Sequence, residues 1–104
     1  MERVAFKMKL FPGFEEEYKI RHNQVWPELK QLLKDAGICE YSIFVDKETN
    51  SLFAYLTIGD NGKLSELRSF ALMNKWWQYM KDIMETNPDG SPVTVPLDEV
   101  FYLP

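Results

Sequence analysis

Residues 38–59, ICEYSIFVDKETNSLFAYLTIG, decide the fold because they have the composition of two strands joined by a short polar turn. β-Branched and aromatic residues dominate 38–46 and 51–59, and the intervening KETN is typical of a hairpin turn. The sequence therefore predicts an antiparallel hairpin at this point of the chain.

Both faces of the predicted hairpin are apolar. Ile43 and Val45 point to one side of their strand and Phe44 to the other, since successive side chains alternate. Leu56 and Tyr55 divide the second strand in the same way. A sheet with two apolar faces needs a cover on each. We therefore expect helices on one face and, on the other, a second copy of the chain related by a two-fold axis.

The chain before the hairpin predicts one strand and an interrupted helix. Residues 4–10 alternate apolar side chains with mostly charged ones, which is typical of a half-buried strand. Residues 14–36 follow a helical pattern that Pro27 must interrupt, because proline removes a backbone donor. We expect a first helix, a cap at Asn23 between the two helices, and a second helix that has Pro27 in its first turn and ends at Gly37.

The chain after the hairpin predicts a helical region, a loop and a last strand. Apolar residues recur at helical spacing between 63 and 85. Residues 86–96 contain three prolines and a glycine, which predicts a loop, and EVFYLP at 99–104 predicts a short strand. The order β-α-β-β-α-β over one domain, residues 1–104, predicts the α+β class. We expect a ferredoxin-like sandwich that pairs into a dimeric α+β barrel.

Composition excludes several classes of protein. Acidic residues outnumber basic ones by 16 to 12, giving a net charge of -4, which argues against a nucleic-acid partner. No apolar run approaches the ~20 residues of a membrane span, and the N-terminus has no signal-peptide core, so we expect a soluble cytoplasmic protein. The single cysteine, Cys39, excludes an internal disulfide and is expected to be buried. Without a Gly-rich phosphate loop or a zinc-type cluster, no cofactor and no metal are expected.

The only histidine lies in the stretch YKIRHNQVWPEL, residues 18–29. Tyr18 and His22 are four residues apart and would share one face of a helix, to which Trp26 could add an apolar wall. An imidazole titrates near neutral pH, so it can both give and take protons. The alternative is an ordinary histidine at a helix end, and the spacing does not choose between the two.

Three further aromatic residues are candidates for a binding site. Trp76 and Trp77 are neighbours on a predicted helix, where adjacent side chains point about 100° apart. One indole is expected in the core, while the other could line a cleft against the C–H face of a sugar; packing of both is the alternative. Tyr41 would be half-buried, and either a site or a backbone carbonyl would supply the partner that its hydroxyl needs.

Four motifs, RHNQVWPEL, KWWQYM, NPDGSPV and EVFYLP, together resemble the L-rhamnose mutarotase family, and the resemblance covers essentially the whole chain in register. Members of that family are small dimeric ferredoxin-like proteins that interconvert the α and β anomers of L-rhamnose. The resemblance implies that His22 is the proton donor. It also implies that Tyr18, Tyr41, Trp76 and Trp77 contact the sugar, and that no cofactor takes part.

The implied reaction fits the chemistry of these residues. Mutarotation requires a proton delivered to the ring oxygen while another leaves the anomeric hydroxyl, and positioned acid–base catalysis is typically worth about 10²–10⁴-fold. Tyr18 and Tyr41 are candidates for the accepting base by reach. Two alternatives belong to other classes: a non-catalytic sugar-binding dimer of the same barrel type, and a cofactor-independent oxygenase, which the motif set disfavours.

Overall fold

The computed structural model describes residues 1–104 as a four-stranded antiparallel sheet with helices packed against it. The elements in chain order are β1 (Glu2–Lys9), α1 (Glu15–Asn23), α2 (Pro27–Asp35), β2 (Ile38–Asp46), β3 (Ser51–Ile58), a 3₁₀ helix (Leu64–Ser69), α3 (Ala71–Met80) and β4 (Val95–Leu97). The strand order across the sheet is β2-β3-β1-β4. The predicted α+β class is confirmed.

The predicted hairpin forms between β2 and β3. Phe44 is paired with Phe53 and Val45 with Leu52, so like side chains meet on each face. The start of β2 departs from regular pairing, because the register shifts between Ile38 and Glu40. This irregularity turns Cys39 outward, where it is exposed, so the prediction of a buried thiol is wrong.

Helices cover one face of the sheet and leave the other open. The covered face and the helices form a main core that includes Leu10, Leu29, Leu52 and Ile83, and a second, smaller cluster consists of Ile38, Leu56 and Ile58. On the opposite face, Phe44, Phe53 and Tyr55 keep 66%, 38% and 36% of their surface exposed. The sheet is therefore apolar on both sides, and only one side is covered within the chain.

The break between α1 and α2 lies where proline requires it. Trp26 precedes Pro27 in an extended conformation, as residues before proline prefer, and Pro27 is the first residue of α2. The prediction that Asn23 caps this junction is wrong, because Asn23 is the last residue of α1 and no side chain caps α2. Gly37 follows α2 with a φ of 100°, as expected for a residue that ends a helix.

The C-terminal part of the chain differs most from expectation. α3 ends at Met80 rather than near residue 85, and residues 99–104 form no strand. The last strand is β4, which overlaps the end of the predicted loop and pairs with Ala5–Lys7 at the edge of the sheet. An edge position tolerates Pro96, which has no backbone donor to offer a neighbouring strand. None of the helices has the length and apolar character that crossing a membrane would require.

Candidate functional site

Helix α1 carries the tyrosine and the histidine on its inner face. Its first turn holds Glu15, Glu16 and Glu17, which interact favourably with the partial positive charge of a helix N-terminus. Tyr18 is 8% exposed and belongs to the core, while His22 lies one turn further on and is half-buried. The predicted shared face of these two residues is present.

The two rings stack and meet a tryptophan from α3. The centroids of the Tyr18 and His22 rings are 4.2 Å apart at an interplanar angle of 25°. The ring centroids of His22 and Trp76 are 5.4 Å apart at 88°, and those of Trp26 and Trp76 are 5.1 Å apart at 87°. The imidazole is thus held between a phenol face and an indole, in the geometries that aromatic pairs prefer.

One ring nitrogen of His22 is committed to the backbone of its own helix. Its Nδ1 lies 3.0 Å from the carbonyl oxygen of Tyr18. A carbonyl only accepts, so Nδ1 carries the proton and donates it, and Nε2 of the neutral ring keeps a free lone pair. Burial lowers the pKa of His22, and the bond to Tyr18 opposes this shift. The neutral ring therefore predominates at pH 7.

Burial has the opposite effect on two tyrosines. Desolvation raises the pKa of Tyr18, and the nearby Tyr41 adds to the shift. Desolvation also raises the pKa of Tyr41, to about 12. Both hydroxyls therefore stay protonated at neutral pH, so neither residue is present as the phenolate that a base step would need.

The neighbouring tryptophans differ in burial, as their positions on α3 dictate. Trp76 is 6% exposed and packs in the core, while Trp77 is half-buried. Both nevertheless line the same cavity, one as its inner wall and the other nearer solvent. The expectation of one core indole and one cleft indole matches this arrangement.

A single cavity of about 1010 Å³ collects all five sequence-predicted residues: Tyr18, His22, Tyr41, Trp76 and Trp77. It lies between the helices and the covered face of the sheet, and most of its lining is apolar. The volume is at the upper end of the range for small-molecule sites. The arrangement joins a titrating group, two protonated hydroxyls and flat apolar walls, which can bind a small polyol and move a proton on it.

Polar side chains that the sequence did not single out also line the cavity: Glu15, Lys19, Asn23, Lys47, Arg68 and Ser91. Glu15 is notable because its Oε2 is buried without a hydrogen-bond partner. The signal for Glu15 was its helical spacing, since it lies seven residues before His22 and so on the same face of α1. No comparable signal marked Lys47 or Arg68. The structure contains no cluster of three or more His, Cys, Asp or Glu side chains able to hold a metal ion.

Comparisons with known proteins agree with one another. The model of the L-rhamnose mutarotase family matches residues 3–103. The chain is 57% identical over 103 residues to the L-rhamnose mutarotase of Formosa agariphila, with 99% of each chain covered. Relatives of the same name from Bacteroides thetaiotaomicron and Listeria monocytogenes are 53% and 50% identical, again with 99% of each chain covered.

A solved structure shows the same likeness in three dimensions. The crystal structure of an L-rhamnose mutarotase from Formosa agariphila matches the chain with a TM-score of 0.94 and 56% sequence identity, and 100% of both chains is covered. The similarity therefore includes the sheet, the helices and the segment that follows β4.

Proposed function

The chain belongs to the L-rhamnose mutarotase family, and from that premise we propose how its residues interconvert the α and β anomers of L-rhamnose. It is an isomerase of rhamnose metabolism. The observation that carries the residue assignment is the single cavity in which His22 presents a free ring nitrogen among protonated hydroxyls and indole walls.

The reaction requires two proton movements and no net change in atoms. In ring opening the anomeric hydroxyl loses its proton, the bond between C1 and the ring oxygen breaks, a carbonyl forms at C1, and the ring oxygen gains a proton. After rotation about the C1–C2 bond the steps reverse and produce either anomer. The protein needs one group that accepts a proton and one that donates a proton at the same moment.

We assign the accepting step to Nε2 of His22. The ring is neutral at pH 7 and its Nδ1–H is committed to the Tyr18 carbonyl, so Nε2 is the atom free to take the anomeric proton. On ring closure the imidazolium returns that proton to the carbonyl oxygen. This proposal changes the role that the family resemblance implies: His22 is the base in ring opening and a proton donor only on ring closure.

The two tyrosines are better suited to donate a proton to the ring oxygen than to act as the base. Burial keeps the hydroxyls of Tyr18 and Tyr41 protonated, so one of them can give its proton to the ring oxygen as the C1 bond breaks and take it back from that oxygen on ring closure. Trp76 and Trp77 supply flat walls for the C–H faces and the methyl group of a 6-deoxy sugar. We propose these four residues as the substrate contacts.

Replacing His22 tests the assignment directly. We expect His22→Asn to lower the catalysed rate by about 100-fold or more, since it removes the acid–base group, while sugar affinity changes little. Exchange between the α and β anomeric proton signals of L-rhamnose, followed by saturation-transfer NMR, measures the rate. Gln24→Ala, one residue beyond α1 and exposed, is the matched control and is expected to keep the wild-type rate.

Either of two outcomes contradicts the proposal. A wild-type protein that binds L-rhamnose but leaves the exchange at its spontaneous rate would be a sugar-binding protein. A folded His22→Asn variant with the wild-type rate would leave the activity in place and remove His22 from the mechanism.

We also propose a ferredoxin-like dimer of the α+β barrel type, with residues 1–104 as one mutarotase domain. The element order and the strand order β2-β3-β1-β4 support the fold, and the uncovered sheet face supports a two-fold partner. Val100, Phe101 and Leu103 are 95%, 75% and 79% exposed, so the C-terminal segment offers more apolar surface to the same partner. The start of this segment is held by Arg3, whose side chain donates two hydrogen bonds to the carboxylate of Glu99, at 2.8 and 3.1 Å.

The location and remaining partners are proposals of the same kind. The exposed free thiol of Cys39 supports a reducing compartment, and we propose the cytoplasm. The net charge of -4 supports the absence of a nucleic-acid partner. We expect the protein in the soluble fraction after cell disruption, without bound nucleic acid.

A further inference from the structure

One half-buried arginine connects the two helices that form the aromatic part of the site. Arg21 belongs to the last turn of α1, next to His22, and its side chain is 11% exposed. Its Nη1 donates to the backbone carbonyl of Tyr79, at 2.8 Å, and to Oδ1 of Asp82, at 2.9 Å. Its Nη2 donates to Oδ2 of Asp82 at 3.2 Å.

The guanidinium is held from further sides. Its Nε donates to Oε2 of Glu17, one turn earlier on α1, at 3.0 Å. Its carbon lies 4.5 Å from the centre of the Tyr79 ring, a cation–π distance. Two carboxylates, a carbonyl and an aromatic face therefore fix this one side chain, and the planar fork of arginine is what matches the Asp82 carboxylate in two places.

Arg21 connects elements that are far apart in the sequence. Tyr79 lies in the last turn of α3 and Asp82 follows the end of that helix, 58 and 61 residues after Arg21. The tie thus joins the C-terminal end of α1 to that of α3. Neither Arg21 nor Asp82 lines the cavity, so any effect on the substrate acts through other residues.

We propose that Arg21 is a positioning residue: by clamping α1 to α3 through Asp82 and the Tyr79 carbonyl, it sets the place of the His22 imidazole against Trp76. His22 is the next residue on α1, and Trp76 is one turn before the clamp on α3. The two rings meet at 5.4 Å, edge to face. Because a displacement of about 1 Å at a reacting group can cost about 100-fold in rate, a clamp at this point controls the proton transfer.

The test compares Arg21→Lys with Asp82→Asn. Lysine keeps the charge but cannot bind the carboxylate in two places, and asparagine removes that charge while Arg21 keeps its bonds to α1 and to Tyr79. We expect kcat for L-rhamnose mutarotation to fall about 10-fold to 100-fold in each variant, with a smaller change in KM. If the two residues act as one unit, kcat of the double variant is no lower than kcat of the more affected single variant.

A second readout separates positioning from a loss of stability. The chain has one histidine, so its imidazole proton signals are unambiguous, and the ring currents of Tyr18 and Trp76 displace them. We expect both variants to move these signals towards the positions of a free imidazole while the rest of the amide spectrum stays folded. Arg3→Lys is the matched control, since Arg3 also pairs with a carboxylate and lies over the Tyr102 ring, but distant from His22.

The proposal rests on the proposed mechanism, yet the two can fail separately. If wild-type protein does not accelerate anomer exchange, the mechanism fails, and the imidazole signals still report whether Arg21 positions His22. Folded variants with wild-type kcat and unchanged imidazole signals would overturn the clamp. A rate loss explained entirely by a lower Tm, with unchanged imidazole signals, or an equal effect of Arg3→Lys on those signals, would overturn it as well.

Discussion

At the scale of single residues, the tautomer of His22 has a consequence for the pH dependence of the reaction. Burial places its pKa below the ordinary value of about 6.5, and the neutral ring is the active form proposed above. We expect kcat/KM to rise with pH through this lowered pKa and to be flat from about pH 7 upward. Anomer-exchange rates corrected for the spontaneous reaction, together with NMR titration of the single imidazole, measure both quantities.

The sign of this profile distinguishes two assignments. If the imidazolium were the form required at the start, kcat/KM would fall as pH rises through the same pKa, and that result would contradict a base step at Nε2. The two tyrosine hydroxyls of the cavity, those of Tyr18 and Tyr41, stay protonated in this range and do not alter the sign. The same shift affects stability: as pH falls below about 6.5 the unfolded chain binds the proton more readily, so the free energy of unfolding decreases.

At the scale of elements, the connection between α2 and β2 depends on a glycine that has no room for a side chain. Gly37 has a φ of 100°, and a Cβ there would lie 2.7 Å from the Cα of Gly62. Gly13 has a φ of 87° with nothing within 4 Å, so it isolates the cost of the backbone conformation. We expect Gly13→Ala to lower the free energy of unfolding by about 1–2 kcal/mol and Gly37→Ala by more. Urea unfolding measures both free energies. Equal losses in the two variants would show that the close contact with Gly62 adds no destabilisation.

Elements with a strong local pattern were predictable from the sequence. The alternation in β1, the hairpin and the helix break at Pro27 each depend on a few neighbouring residues, and the structure has all three. The cap at Asn23 was not predictable, because the extended residue that Pro27 demands, Trp26, took the capping position. The place of β4 was not predictable either, since it depends on pairing with β1 across the molecule.

The residues of the site also divide into those that a local sequence pattern reveals and those whose contacts depend on folding. Tyr18 and His22 were visible through helical spacing, Tyr41 and the tryptophan pair were open candidates as aromatic residues, and the family resemblance implied a sugar contact for each. The orientation of the imidazole and the contacts of Arg21 depend on groups brought together only by folding. A sequence pattern can therefore suggest which side chains share a cavity, but not which ring nitrogen is free.

At the scale of the whole molecule, the uncovered sheet face predicts how the protein assembles. We expect sedimentation equilibrium to give twice the chain mass of 12.3 kDa. Phe44→Asp puts a charge on the open face and is expected to shift the equilibrium towards monomers, since burying an unpaired charge is costly. Phe70→Asp, which alters a phenylalanine that is 45% exposed and lies outside the sheet, is the control and should leave the mass unchanged. A wild-type mass of 12.3 kDa would remove the dimer.

The irregular start of β2 provides a single natural site at which the protein can be labelled to measure the geometry of a dimer. Because Cys39 is the only cysteine and is turned outward, a nitroxide or a dye coupled to thiols attaches at one position per chain. A dimer would then carry two labels related by its symmetry axis, and pulsed electron resonance would give the spacing between them as a single distance. That distance depends on how the two sheets are rotated against each other. The wild-type protein can therefore report the geometry of the dimer without an introduced cysteine.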